Sequence, residues 1–311
     1  MSGYTKVVND CMGIKPGESV LVLTDDNKIE IAKKLYKEAR TITDDVYVLV
    51  MKPRRVSGTE LPAQVAEFMK NVDVVLAPTS VSMTHTQAKI NAAKAGTRVA
   101  SMPNITEDMF DEGALNADFD LVIRLTEKLT KMLSEAKSAR VEKDGKVLNI
   151  DLGDRKGVGS PGVYRNPGEA GNVPSGEAYI APLENGTNGE IVIDGSMVSM
   201  GLLEEPLYVT MKDGKISDIK GDKGQLGILF ESEENHTIAE LGIGTNPAAR
   251  LTGVILEDEK IYGTIHVAFG TNVSFGGENL ATCHLDGIVL KPTLYLDEIL
   301  VMKDGEVVIE L

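Results

Sequence analysis

The chain has 311 residues, 47 acidic and 32 basic, and a formal net charge of −15, so a nucleic-acid backbone or an anionic membrane surface is repelled and neither is expected as a partner. Hydrophobic residues at 42%, charged residues at 25% and aromatics at 5% describe a folded, glycine-rich protein rather than a disordered one, and the absence of Trp argues against carbohydrate-stacking surfaces. Cys11 and Cys283 stand far apart in no CxxC arrangement, which excludes a disulfide framework and a thiolate zinc site; with no basic-then-apolar leader and no long apolar run, a cytoplasmic protein is expected.

Short apolar runs at residues 19–23, 46–51, 72–77 and 98–101 alternate with stretches at 28–40, 61–70 and 84–95 whose apolar residues recur at helical spacing. The continuous runs Val20-Leu21-Val22-Leu23 and Val74-Val75-Leu76-Ala77 read as strands buried on both faces. Residues 1–140 are therefore expected to form an α/β N-terminal domain with a mostly parallel sheet, closed by a helix through 119–139. After the first strand, Thr24-Asp25-Asp26-Asn27-Lys28 offers neither GxGxxG nor GxxxxGK[ST], and its acidic pair opposes phosphate, which speaks against a nucleotide cofactor. His85 stands at an apparent helix start, as a cap or as a group reaching toward a cleft.

From residue 141 to 311 the pattern changes to an α+β domain rich in antiparallel hairpins, expected to carry the metal site. Three turns mark it: Lys143-Asp144-Gly145-Lys146, Lys212-Asp213-Gly214-Lys215 and Lys303-Asp304-Gly305-Glu306, each between short apolar runs. Here the candidate ligands concentrate. His284 and Asp286 lie two apart in Cys283-His284-Leu285-Asp286-Gly287, so on a strand both point to one face; His266 lies in the strand-like Thr264-Ile265-His266-Val267-Ala268. That pattern suits a metal ion, or a simple imidazole–carboxylate pair. Glu177 and Glu240 are each set among apolar and glycine residues, where an unpartnered charge costs several kcal/mol and a cation is the natural partner. A hairpin-edge position for Glu177 and a helix-start position for Glu240 are the structural alternatives.

Residues 172–182 (NVPSGEAYIAP), 239–247 (AELGIGTNP), 266–270 (HVAFG) and 284–287 (HLDG) come in the order found in the aminopeptidase T/aminopeptidase S family of metallopeptidases, and residues 82–106 resemble that family's N-terminal domain. The chain resembles a divergent and shortened member. The resemblance implies divalent metal ions, Zn, Co or Mn, one or two per chain, on Glu177, Glu240, His266, His284 and Asp286. It further implies an aminopeptidase, a hydrolase that removes N-terminal residues of peptides with a metal-activated water, with Glu240 or Glu177 as the base, working as a homodimer. Two positions depart: the family's glutamate five residues before the first histidine is Ile261, with Glu257 or Glu259 reaching only by a register change, and its tyrosine seven residues after that histidine is Val273. A family of dihydroxypyridine ring-opening dioxygenases resembles these aminopeptidases. His266, His284 and Asp286 are also the ligand set of a non-haem Fe(II) oxygenase, and the missing glutamate fits a single iron. A non-catalytic binding protein is the third alternative.

Overall fold

The computed structural model describes residues 2–84, 86–221, 224 and 226–310; His85 lies outside them. The chain forms two compact units, Met1–Phe119 with Gly162–Ser175, and Asp120–Pro161 with Gly176–Leu311. The fold class is the expected one, a parallel sheet with helices followed by antiparallel sheets.

In the first unit five strands run in the order Val46–Met51, Val20–Asp25, Val74–Thr79, Arg98–Pro103, Ala170–Asn172, every neighbouring pair parallel. Val20–Asp25 and Val74–Thr79 are buried along their whole length, as continuous β-branched and aliphatic runs require when both faces are covered. The helix Ile29–Ala39 buries Ile31, Ala32, Leu35 and Ala39, one stripe at helical spacing, and turns its lysines outward. The last strand arrives from beyond residue 160, which makes the unit discontinuous. The helix Phe119–Glu135, expected to close this unit, belongs from Asp120 onward to the second, where Leu129 and Leu133 are buried among sheet residues.

The second unit holds an eight-stranded and a seven-stranded sheet. The three Asp-Gly turns close hairpins, with Asp144, Asp213 and Asp304 at φ 48°, 48° and 49° and glycine next, the double left-handed turn that matches strand twist. The seven-stranded sheet runs Gly201–Leu202, Ser196–Met197, His284–Leu290, Thr264–Gly270, Ile238–Gly244, Glu177–Ile180, Val158–Ser160, all antiparallel. Alternation divides its faces. Leu241, Ile243, Ile265, Val267, Phe269, Leu285 and Val289 join one core with Val141, Leu148, Ile191 and Val209 of the eight-stranded sheet. Each such aliphatic side chain contributes about 1.5–3 kcal/mol of burial, so the polar residues between them are forced onto the opposite face.

Candidate metal centre

Residues directly opposite in antiparallel strands share a face. Gly244 stands opposite Glu177, Ala268 opposite both Glu240 and Asp286, Gly242 and Ile288 on either side of His266, and Gly270 opposite His284. Apart from Ile288, the residues opposite these ionisable side chains are glycine or alanine. At Gly242 the small residue is obligatory, because a Cβ there would lie 1.9 Å from Nε2 of His266. At Gly244 a Cβ would lie 2.0 Å from the Ile261 carbonyl oxygen, so glycine lets the segment after the short helix Ile255–Asp258 lie against the sheet. Two backbone hydrogen bonds fix it there, Asn246 N–H to Lys260 O at 2.8 Å and Tyr262 N–H to Asn246 O at 3.1 Å.

His266 is fully buried, and Glu177, Glu240 and Asp286 are each 6% exposed. Nε2 of His266 lies 3.0 Å from Glu240 Oε1 and 3.5 Å from Glu177 Oε2; Nε2 of His284 lies 3.4 Å from both Glu240 Oε2 and Asp286 Oδ1. Donor atoms come within 4.8 Å of one another in three overlapping triplets: Glu177–Glu240–His266, Glu240–His284–Asp286 and Glu259–His266–Asp286. The Nδ1–H of His284 donates to the Thr271 carbonyl at 2.8 Å, which in the neutral ring leaves the Nε2 lone pair facing the carboxylates. The other ring nitrogen of His266, Nδ1, is buried without a hydrogen-bond partner. Lys260, also fully buried, places its ammonium 2.6 Å from Glu177 Oε1 and against Glu259.

This crowding shows in the proton affinities. Burial works against a charged His266, yet the hydrogen bond to Glu240 and the charges of Glu240, Glu177 and Glu259 lift it to about 9. His284 is raised in the same way, its burial outweighed by Asp286 and Glu240. Glu240, despite its burial, is held well below the usual carboxylate range by both histidines. Burial pushes Glu259 up to about 8, against the pull of Lys260 and with the charges of Glu177 and Asp286 adding to it. Lys260 is raised, as Glu177 and Glu259 overcome its desolvation. Four carboxylates gathered in a dry pocket are a site for cations, and in the metal-free protein protons and one ammonium fill that role. Oxygen and imidazole donors converging in this way fit a divalent transition metal.

Glu177, Glu240, His266, His284 and Asp286 all lie on this face. Glu240 sits in the middle of a strand, and Glu177 begins one. Glu259, named from the sequence as a carboxylate that reaches the site only by a register change, enters from two residues before Ile261, and the structure adds Lys260 beside it. It also brings Tyr179, two residues after Glu177 and opposite Gly242, onto the same face. The half-buried Phe275 stands edge-on to Tyr179 at 5.4 Å and to His284 at 5.9 Å. The i, i+2 rule applied from Glu177 finds Tyr179; no local pattern marks Lys260. Val273, where the peptidase resemblance expects tyrosine, is 47% exposed. Among the described residues no helix is long and apolar enough to cross a membrane.

The family model described as NicX, 2,5-dihydroxypyridine 5,6-dioxygenase, matches residues 2–309. A 2,5-dihydroxypyridine 5,6-dioxygenase of Pseudomonas putida KT2440 is 27% identical over 195 residues, 57% of this chain and 56% of that protein, so the match spans little more than half the length of the curated relative. Among solved structures, the 2,5-dihydroxypyridine dioxygenase from Pseudomonas putida KT2440 superposes with a TM-score of 0.78 at 19% identity, covering 98% of this chain and 96% of that one. Wild-type AmpT from Thermus thermophilus superposes with a TM-score of 0.71 at 16% identity, covering 99% and 98%. At these identities the structures speak for the fold alone. The expectation of an aminopeptidase, of a hydrolase and of a peptide substrate is overturned by the family match. Its physical source is plain: the chain shares its fold with AmpT, and carboxylates with imidazoles do not themselves choose between hydrolysis and oxygen chemistry.

Proposed function

The chain belongs to the 2,5-dihydroxypyridine 5,6-dioxygenase (NicX) family, and from that premise we propose that it is a non-haem iron(II) dioxygenase that opens the ring of a dihydroxypyridine. The family match across residues 2–309 carries this reading. The cluster supports it: His266, His284 and Asp286 share one face of the sheet, Asp286 standing in one donor triplet with His284 and in another with His266, and they would hold the ion as two imidazoles and one carboxylate, a set that leaves positions open for substrate and O₂. When bound, the iron supplies the redox chemistry with O₂ that side chains lack and a Lewis-acidic seat for a substrate hydroxyl. The remaining work falls to the chain. Glu240, ionised and within reach of both histidines, is placed to accept a hydrogen bond from that hydroxyl at its carboxylate oxygen and so to orient it. Phe275, edge-on to His284, offers an aromatic wall for a flat heterocycle. The near-complete burial of Glu177, Glu240, His266 and Asp286 keeps bulk water from the reacting atoms.

The test is anaerobic loading with Fe(II), verified by elemental analysis, followed by mixing with 2,5-dihydroxypyridine in aerated buffer. Oxygen uptake matched to loss of the substrate's aromatic absorbance is expected, and both are expected to vanish in His284→Ala. Iron-loaded protein that takes up no oxygen with this substrate overturns the reading.

A further inference from the structure

Lys260 is a fully buried lysine in the middle of a carboxylate cluster, and the oxygenase reading gives it no task. Its backbone is clamped to Asn246, so the side chain is delivered to one place rather than free to snorkel outward. From there the ammonium holds Glu177 Oε1 at 2.6 Å and contacts Glu259, while Glu177 Oε2 faces His266 at 3.5 Å. One carboxylate thus spans an ammonium on one side and a metal-donor nitrogen on the other, as a bridging carboxylate spans two ions.

Glu177, Glu240, Glu259, His266, His284 and Asp286 are enough donors for a pair of divalent ions sharing ligands. Two of the three donor triplets, however, contain a carboxylate that Lys260 occupies; only Glu240–His284–Asp286 is untouched by it. We propose that the Lys260 ammonium is a built-in cation that fills the Glu177/Glu259 side of the cluster and restricts the centre to one divalent ion, on the side of His284 and Asp286. The inference rests on the reading of this cluster as a metal centre. Lys260 is a positioning residue here: it sets how many ions bind and where, without touching the reacting atoms. Removing its charge leaves the buried carboxylate of Glu177 and the largely buried one of Glu259 in need of a cation, and a second divalent ion is the available replacement.

The experiment titrates the metal-free full chain with Mn²⁺, reading stoichiometry by equilibrium dialysis and ion–ion coupling by electron paramagnetic resonance. Wild type and Lys260→Arg are expected to bind one equivalent with an uncoupled spectrum. Lys260→Met, which keeps most of the stem and drops the charge, is expected to bind two and to show an exchange-coupled pair. Circular dichroism and melting establish that each variant is folded, and Lys260→Gln repeats the test if the methionine variant is not. Two ions in wild type, or one ion in a folded charge-free variant, overturns the inference while leaving the metal centre intact. No ion bound by wild type sinks the metal-centre reading itself, and the inference with it.

Discussion

A methyl group at position 242 would lie 1.9 Å from Nε2 and 2.1 Å from Cε1 of His266, well inside any tolerable contact. Nothing about the backbone reserves that position for glycine; space alone does, because the imidazole lies across the neighbouring strand. Gly242→Ala must push the ring off its place among Glu177, Glu240 and Asp286. The expected result is a divalent-cation affinity reduced roughly 10–100-fold, as for a ligand that has lost its orientation, with a stability loss of about 1–3 kcal/mol from overpacking. Calorimetric Mn²⁺ titration and denaturant unfolding measure the two. Gly227→Ala, where the added carbon meets nothing within 4 Å, is the control and should change neither. Wild-type affinity in Gly242→Ala would show that the ring position is not what the metal site depends on. At this scale the sequence was a partial guide. His266, His284, Asp286, Glu177 and Glu240 could be picked out because each charged or imidazole group interrupts an apolar or glycine-rich run. Lys260 could not, because its partner Glu177 lies in a distant segment and no local pattern joins the two.

The structure buries Glu257, Asp258 and Lys260 completely. Two of their partners, Ser196 and Glu177, lie far away in the sequence, and no local pattern reports them. Asp258 is the anchor of this element. Its carboxylate accepts hydrogen bonds from Ser196 Oγ at 2.6 Å, Thr252 N at 2.7 Å, Thr252 Oγ1 at 3.1 Å and Gly253 N at 2.8 Å. These bonds fold residues 252–258 into the turn and short helix that present Glu259 and Lys260 to the sheet. Asp258→Ala leaves several buried donors unsatisfied, and a loss of about 3 kcal/mol or more is expected in denaturant unfolding. Asp258→Asn keeps the shape and one acceptor, and should cost less. If both variants unfold with the wild type, the turn is held by something other than this carboxylate. The neighbouring strands show the opposite case. Thr264–Gly270 and His284–Leu290 alternate ligand or small residues with core residues, so their faces were legible from period two alone. Ile238–Gly244 was harder: its glycines mask the alternation, and Glu240, for which a helix start was the structural alternative, stands in a strand whose residues are all buried.

At the scale of the whole molecule, the parallel sheet was legible because its strands are long apolar runs, whereas the three-residue strand Ala170–Asn172 carries no such signal and its return to the first unit was not. Nor could the sequence choose the chemistry, since the donor set suits more than one reaction. What the donor set does fix is how folding couples to protons. In the metal-free protein His266 is raised from 6.5 to about 9 and Glu259 from 4.5 to about 8, so over that range the folded chain binds more protons than the unfolded one. The stability tied to the raised His266 is fully present below pH 6.5 and is lost as pH rises through about 9; Glu259 acts with the same sign above 4.5. Glu240 is depressed and has the opposite sign, its stabilisation being lost as pH falls below 4.5. Metal-free protein should therefore melt highest between pH 4.5 and 6.5 and progressively lower toward pH 9. A divalent cation replaces the protons these groups hold, so its stabilisation should be small in acid, where it must displace them, and largest near pH 9. Melting temperatures across this range, with and without Mn²⁺, check both statements. A metal-free melting temperature that stays level or climbs between pH 6.5 and 9 would mean that the cluster is not held together by protons.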